Sequence, residues 1–403
     1  MNLSPPRMNI PKIFLKPGKE VPVRRFHPWV FSGAIQRMEG DAADGDVVSV
    51  HDRNGGLLGM GHFHHGSIAV RLLAFEPADL FDSPFWVTKL QAALNVRKVA
   101  GLTNTPTTNC FRLVHGEGDG LSGLIVDIYG SAAVLQCHSI GMHRQRVMIA
   151  QALQRVMGAG IEVVYDKSRE SLPVKYAESV QNEYLAGEKG ASAIVVENGV
   201  RFRVDWETGQ KTGFFLDQRD NRQLLSQYAP GKTVLNTFCY TGGFSCYALL
   251  AGAKSVHSVD TSARAMELLE ENTALNAPFP GNHEGFTEDV LRFLNNTEQA
   301  YDVVVVDPPA YAKSLDKRHN AVQGYKRLNE AALRRVAPGG ILFTFSCSQV
   351  VDRDLFYHTI AAAAMEVKRP VRVLHHLTQG ADHPVSMFHP EGAYLKGLVL
   401  YVE

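Results

Sequence analysis

VVVVDPPAYAKS, residues 303–314, reads as the end of a buried parallel strand. Four consecutive valines suit a strand covered on both faces, and the acid and two prolines that follow cannot continue it. Some forty residues on, ILFTFSCS (341–348) is a second strand of the same kind, ending in a thiol. Parallel neighbours of this sort would bring Asp307 and Cys347 to one crevice, because open α/β sheets bind ligands at the carboxyl ends of their strands. A carboxylate beside a nucleophilic thiol suits attack on a flat, electron-poor heterocycle.

The pattern around these strands is alternating. TVLNTFCY, SVHSVD, YDVVVVD and ILFTFSCS are strands, and helical stretches FSCYALLAGA, SARAMELLEENTALN and GYKRLNEAALRRVA lie between them. Such alternation predicts a parallel sheet with helices on both faces. Upstream, residues 1 to about 75 hold short β-rich runs broken by turn residues, among them Asn54-Gly55-Gly56. Residues 81–100 have helical spacing, followed by a β-meander, another helix and the strand IEVVYDK. A boundary is expected near Gly187 to Ala191. The resulting domains are 1–75, 76–190 and 191–403.

Composition narrows the class. The 403 residues carry a formal net charge of zero, so no global basic bias advertises nucleic acid. The first 37 residues nevertheless hold seven Lys and Arg against Glu20 alone. The five cysteines follow no zinc or disulfide spacing, which predicts a reduced, cytoplasmic, metal-free protein. No apolar run reaches the length of a bilayer span, and MNLSPPRMNIPK lacks the apolar core of a signal peptide.

A cofactor site is expected where TVLNTF enters CYTGGFS. Gly242 and Gly243 would let backbone approach a ligand at a helix N-terminus. Asp260, at the tip of SVHSVD, suits a ribose diol, and Asp289 follows where the third strand should end, in reach of an adenine amine. The glycines are not GxGxxG, which favours S-adenosylmethionine over a dinucleotide. The plainer alternatives are a tight turn for the glycines and helix caps for the two acids. For Cys347 the plain alternative is a small buried hydrophobe.

Cytosine carbon-5 is a poor nucleophile until a thiolate adds to carbon-6. Cys347 is the candidate thiol and Asp307 the partner for ring nitrogen-3, with the Pro308 carbonyl available to the exocyclic amine. Cys239 and Cys246 read as structural.

These motifs resemble a known family. DWETGQKTGFFLDQRDNR (205–222), NTFCYTGGFS (236–245), VDTSARAMELLEENTALN (259–276), VVVDPPAYAKS, FTFSCS and ADHPVSMFHPEGAYLKG (381–397) are similar to the ribosomal RNA large-subunit methyltransferases that act on cytosine carbon-5 of 23S rRNA. The resemblance covers nearly the whole chain. It implies a class I (Rossmann-like) methyltransferase domain, preceded by a β-rich PUA domain that binds RNA and a small α/β central domain. KIFLKPGKE and HPWVFSGAI carry the PUA match.

It also implies S-adenosyl-L-methionine as cofactor and a homodimer as a common state. It places Gln218 and Arg219 near the cofactor, with Asn236, Phe238, Tyr240, Thr241, Ser262 and Asp307 contacting it. Lys211, Pro308, Pro309 and Lys313 fall to the RNA, and Cys347 matches the nucleophile position. One departure is chemical: no cysteine adjoins Pro309, so a single thiol must both add and leave. The alternatives are methylation of another base position, such as guanine N7, without a covalent thiol; a nicotinamide oxidoreductase; and an RNA-binding protein with a vestigial enzyme domain.

Overall fold

A computed structural model describes residues 10–403 apart from 81, 104, 189–192 and 313. The N-terminal unit is a six-stranded sheet in the order β2-β6-β5-β4-β1-β3. Its strands are β1 (Lys12–Leu15), β2 (Trp29–Phe31), β3 (Ile35–Glu39), β4 (Val47–His51), β5 (Leu57–Phe63) and β6 (Ile68–Ala74), with a one-turn helix α1 (Val21–Arg24). Asp52 accepts from the backbone of Asn54 and Gly56 and closes the β4–β5 hairpin at the glycine pair that predicted it.

The second unit begins with α2 (Ser83–Val99), N-capped by Asp82. Strands β7 (Cys110–His115), β8 (Leu124–Tyr129), β9 (Ala132–Cys137), β10 (Val163–Asp166) and β11 (Glu183–Ala186) form one sheet in the order β11-β10-β9-β8-β7. Helices α3 (Ile140–Arg144) and α4 (Arg146–Met157) separate β9 from β10, and the short α5 (Val174–Ala177) precedes β11. The expected boundary at 187–191 falls largely outside the described residues. Apolar packing runs across both expected boundaries, near 75 and near 190. One apolar cluster joins Val47, Met60 and Leu73 of the first unit to Trp86, Leu90 and Leu113 of the second. Another joins Tyr129 and Val134 to Phe202, Trp206 and Tyr247 of the third.

The third unit opens with the hairpin β12 (Ala193–Glu197) and β13 (Val200–Val204), then α6 (Arg219–Leu225). The main sheet follows: β14 (Thr233–Thr237), α7 (Gly243–Leu250), β15 (Ser255–Asp260), α8 (Ala263–Asn276), β16 (Asn282–Thr287), α9 (Val290–Asn296) and β17 (Tyr301–Val306). It continues with α10 (Arg318–Leu333), β18 (Val336–Ser346), α11 (Arg353–Glu366), β19 (Val371–Leu377) and β20 (Lys396–Val402). The order is β16-β15-β14-β17-β18-β20-β19, with β20 antiparallel to both neighbours.

Order reverses between β14 and β17, so the crevice opens above their carboxyl ends. Val303 to Val306 are at most 1% exposed, which accounts for the unbroken apolar run. Asn272 and Asn276 lie one turn apart on α8, and their side-chain oxygens accept from the Arg203 and Arg201 amides. They seal the open edge of β13 against the sheet's helical layer.

Candidate active site

Two strand tips build one end of the crevice. Val306 of β17 pairs in register with Thr344 of β18, so Asp307 and Cys347 emerge side by side. The Cys347 thiol lies 4.0 Å from the Pro308 carbonyl and is half-buried. Its flanking serines fix it. Ser348 donates its amide to Ser346 Oγ at 3.3 Å, shares a 3.0 Å contact with the Tyr325 hydroxyl, and gives its carbonyl to Lys396 Nζ at 2.6 Å.

Asp307 accepts from Gln218 Nε2 at 2.9 Å. Gln218 is oriented in turn, because its oxygen accepts from Asn221 at 2.6 Å. Burial, and then the neighbouring Asp217, push the Asp307 carboxyl up to about 7, against the Gln218 bond and Arg222. Burial also pushes the Cys347 thiol up to about 11, helped by Asp307 and Asp217 and opposed by Lys396. Lys396 is itself drawn down to about 8 by burial. All three groups are therefore biased toward their neutral forms.

Asp217, Tyr394 and Lys396 were not singled out by the sequence reading, although all three lie inside quoted motifs. Asp217 takes the Tyr394 hydroxyl at 2.6 Å, and its other oxygen is buried without a hydrogen-bond partner among the described residues. The missed signal was positional: only the fold brings β20 beside β18.

The turn after β14 forms the other end of the crevice. Phe238, Tyr240 and Gly242 take left-handed backbone angles (φ 54°, 47° and 82°), an unusual run that packs tightly enough to hold two non-glycine residues there. Tyr240 gives its amide to Asp260 at 2.9 Å, and Asp260 also takes the Ser262 amide at 2.9 Å. The Tyr240 hydroxyl accepts from the Gln210 amide and donates to the Gly213 carbonyl, pinning the KTGFF loop to the turn. Gly242 is constrained from inside the protein as well. A Cβ there would sit 2.1 Å from Leu269 of α8, so packing within the protein demands this glycine.

The remaining expected residues fall into three groups. Asn236 is buried and donates to Ser245 Oγ at 2.8 Å, and Arg219 is buried in an ion network. Asp289 is exposed and caps α9 through the Arg292 amide, and Ser262 caps α8 through Ala265. With Thr261, Thr287, Glu288 and Arg292, Asp289 lines an open depression beyond β15 and β16. Lys211 is exposed, as is Pro309, whereas Pro308 is buried; Lys313 lies outside the described residues. Cys239 and Cys246 are buried, the structural role expected of them.

The ion network lies directly behind the crevice. Arg222 grips Glu197 with two 2.8 Å bonds, and Arg219 donates to Asp382 at 2.7 Å with Glu197 at 3.6 Å. Asp382 further accepts the Arg112 amide, and His383 lies 3.0 Å from its other oxygen. Against the upward push of burial, His383 and Arg219 hold Asp382 well below the usual carboxylate range.

Comparison with known proteins places this geometry. Residues 143–384 match the profile described as S-adenosylmethionine-dependent methyltransferase, and residues 13–75 match a PUA-like domain. A ribosomal RNA large subunit methyltransferase I from Alteromonas mediterranea is 38% identical over 396 residues, covering 97% of this chain and 98% of that one. The chain belongs to the ribosomal RNA large subunit methyltransferase I family. A second member, from Aeromonas hydrophila, is 38% identical over 394 residues, with 96% and 98% covered.

A methyltransferase structure solved in complex with SAH shares the fold at TM-score 0.82 and 22% identity, covering 97% of this chain and 99% of that one. The cofactor of the family is thus S-adenosylmethionine, and the nicotinamide alternative is set aside. The crevice fits that group. Thr241 Oγ1 is buried at the turn without a hydrogen-bond partner among the described residues, and Asp260 stands at the tip of the second strand of the sheet. No described helix is long and apolar enough to cross a membrane.

Proposed function

We propose that this chain methylates carbon-5 of a cytosine in 23S ribosomal RNA, with Cys347 as covalent nucleophile and Asp307 as its proton partner. The observation that carries the reading is the pair itself. A half-buried thiol and a carboxyl poised near pH 7 share one crevice, with an accepting carbonyl 4.0 Å from the sulfur. The relatives named above act on ribosomal RNA of the large subunit by their names, and the PUA-like unit supplies a second RNA contact. The exposed basic residues Lys12, Lys16, Lys19, Arg24, Arg25 and Arg37 would hold phosphate without reading sequence.

S-adenosylmethionine, when bound, supplies an electrophilic methyl group. Asp260 would hold its ribose, Asp289 its adenine, and the turn from Phe238 to Gly243 its remaining polar edge, with Gln218 positioning Asp307. The target cytosine must leave any stack to reach the thiol. Cys347 gives its proton to the Asp307 carboxylate as sulfur bonds to carbon-6. The carbon-5–carbon-6 double bond becomes the nucleophilic pair at carbon-5, and Asp307, now protonated, donates to ring nitrogen-3. The Pro308 carbonyl accepts from the exocyclic amine. Once carbon-5 has taken the methyl group, its proton leaves to solvent water, and the electrons of that carbon–hydrogen bond re-form the double bond. The carbon–sulfur bond breaks to release the Cys347 thiolate, which regains a proton through Asp307 as nitrogen-3 gives its proton back. Lys396, held against the Ser348 carbonyl, lowers the cost of charge on sulfur in both directions.

Mapping 5-methylcytosine in ribosomal RNA with and without the protein tests the assignment. One cytosine should lose its methyl group in the absence of the enzyme. An unchanged cytosine map with a loss at another base would select the non-covalent alternative.

A further inference from the structure

A second cluster of chemically active side chains lies away from the crevice. His27 follows α1 in the N-terminal unit, while His389 and Glu391 lie in the tail between β19 and β20. Their ligand atoms are all within 4.8 Å of one another. The Glu391 carboxylate sits between the rings, 3.9 Å from His27 Nε2 and 3.8 Å from His389 Nε2. His389 is 3% exposed, and neither of its ring nitrogens has a hydrogen-bond partner among the described residues, so a buried polar group faces Glu391 unsatisfied. Its ring packs edge-on against Trp29 at 4.3 Å between centroids, which fixes its plane. His27 Nδ1 lies 3.3 Å from the Trp29 carbonyl and 3.2 Å from the Trp29 amide. The tautomer that donates to the carbonyl leaves Nε2 free, the usual outer-shell support of a metal-binding histidine.

We propose that His27, His389 and Glu391 bind one divalent transition cation, zinc foremost. Two imidazoles and one carboxylate suit zinc, cobalt or nickel and select against the oxygen-seeking magnesium and calcium. Zinc bonds of about 2.0–2.2 Å would bring the three atoms to roughly 3.3 Å apart. The gaps close by side-chain movement of about 1 Å: the exposed Glu391 approaches both rings, and a turn of the half-buried His27 ring narrows the distance between the two imidazoles. Three protein ligands leave at least one position for water. The ion would join residue 27 to residues 389 and 391, and so tie the PUA-like unit to the tail that carries Asp382. Its work there is structural, and nothing in the methyl-transfer chemistry passes through it.

The test uses the full chain, stripped with chelator and dialysed, with Co²⁺ and then Zn²⁺ as the only probes. Expected are one Co²⁺ per chain with visible d–d absorption, displaced by Zn²⁺, and a rise in melting temperature on adding Zn²⁺. Both effects should vanish in Glu391→Gln, whose exposed position leaves folding intact, and in His27→Gln if circular dichroism shows that variant folded. No uptake, or uptake equal in wild type and Glu391→Gln, would overturn the site. So would sulfur-to-cobalt charge-transfer absorption, which places the ion on a cysteine.

Discussion

Two groups of ionisable side chains share the interior of the third unit and answer burial in opposite ways. Behind the crevice, Glu197, Arg219, Arg222 and Asp382 are matched charge for charge, and pairing keeps Asp382 ionised. At the crevice, Asp307, Cys347 and Lys396 have few partners, and burial drives each toward neutrality. The paired group is an internal fastening. The unpaired one stores the capacity to move a proton, which is where perturbed titration marks chemistry.

The sharpest way to break this contrast is Cys347→Ala. Methyl transfer should fall by roughly 10³-fold or more while S-adenosylmethionine affinity, measured by calorimetry, stays within a few-fold. Retained activity would sink the covalent mechanism. Next in size, Asp382→Ala should cost about 3–5 kcal/mol in denaturant unfolding, because it leaves Arg219 buried with one partner fewer. A loss of activity at full stability would instead move Asp382 into the reacting group.

Asp307→Asn comes third, and sharpens the contrast through pH. Turnover should drop by roughly 10²-fold. In wild type kcat/KM should fall as pH drops below about 7, where Asp307 already holds the proton it must accept, and the variant should lack that limb. Stability changes the other way. The Asp307 carboxyl is raised from 3.8 to about 7, so its contribution is full below about pH 4 and is lost as pH rises through 7. Asp307→Asn should therefore stabilise the fold at pH 8, by on the order of 3 kcal/mol. Asp382 is lowered, so its contribution is present above about pH 4 and is lost as pH falls through its folded value. Wild-type-minus-variant differences in unfolding free energy, taken from pH 3 to 8 for each of the two variants, should show these opposite slopes.

The smallest expected effect concerns Asp289. Asp289→Ser keeps a cap on α9, so stability should change by less than about 1 kcal/mol. S-adenosylmethionine binding should weaken a few-fold if the carboxylate meets the adenine. Unchanged binding would leave Asp289 a cap alone.

Much of the third unit was legible in the chain. Val303 to Val306, the turn residues around Gly242 and the strand endings at Asp260 and Asp307 carry their own local instructions. So does the hairpin at Asn54 to Gly56. What stayed hidden depends on distant pairing. Arg219, expected near the cofactor, is paired with Glu197 and Asp382, and nothing local announces a partner 163 residues away. Gly242 has the right residue for a reason inside the protein, its approach to Leu269. Lys396 reaches the Ser348 carbonyl, next along the chain from Cys347, only because β20 runs antiparallel beside β18.

The Asp382 carboxylate gathers partners from far along the chain, the Arg112 amide 270 residues away and Arg219 at 163, while its backbone carbonyl takes Arg97 at 285. Closing loops of that length costs entropy that local structure does not repay, so this junction is expected to close late, after the transition state for folding. Substitutions at Asp382 should then leave the refolding rate nearly untouched and accelerate unfolding. The lifetime of the folded enzyme, more than the speed of its formation, rests on that one carboxylate.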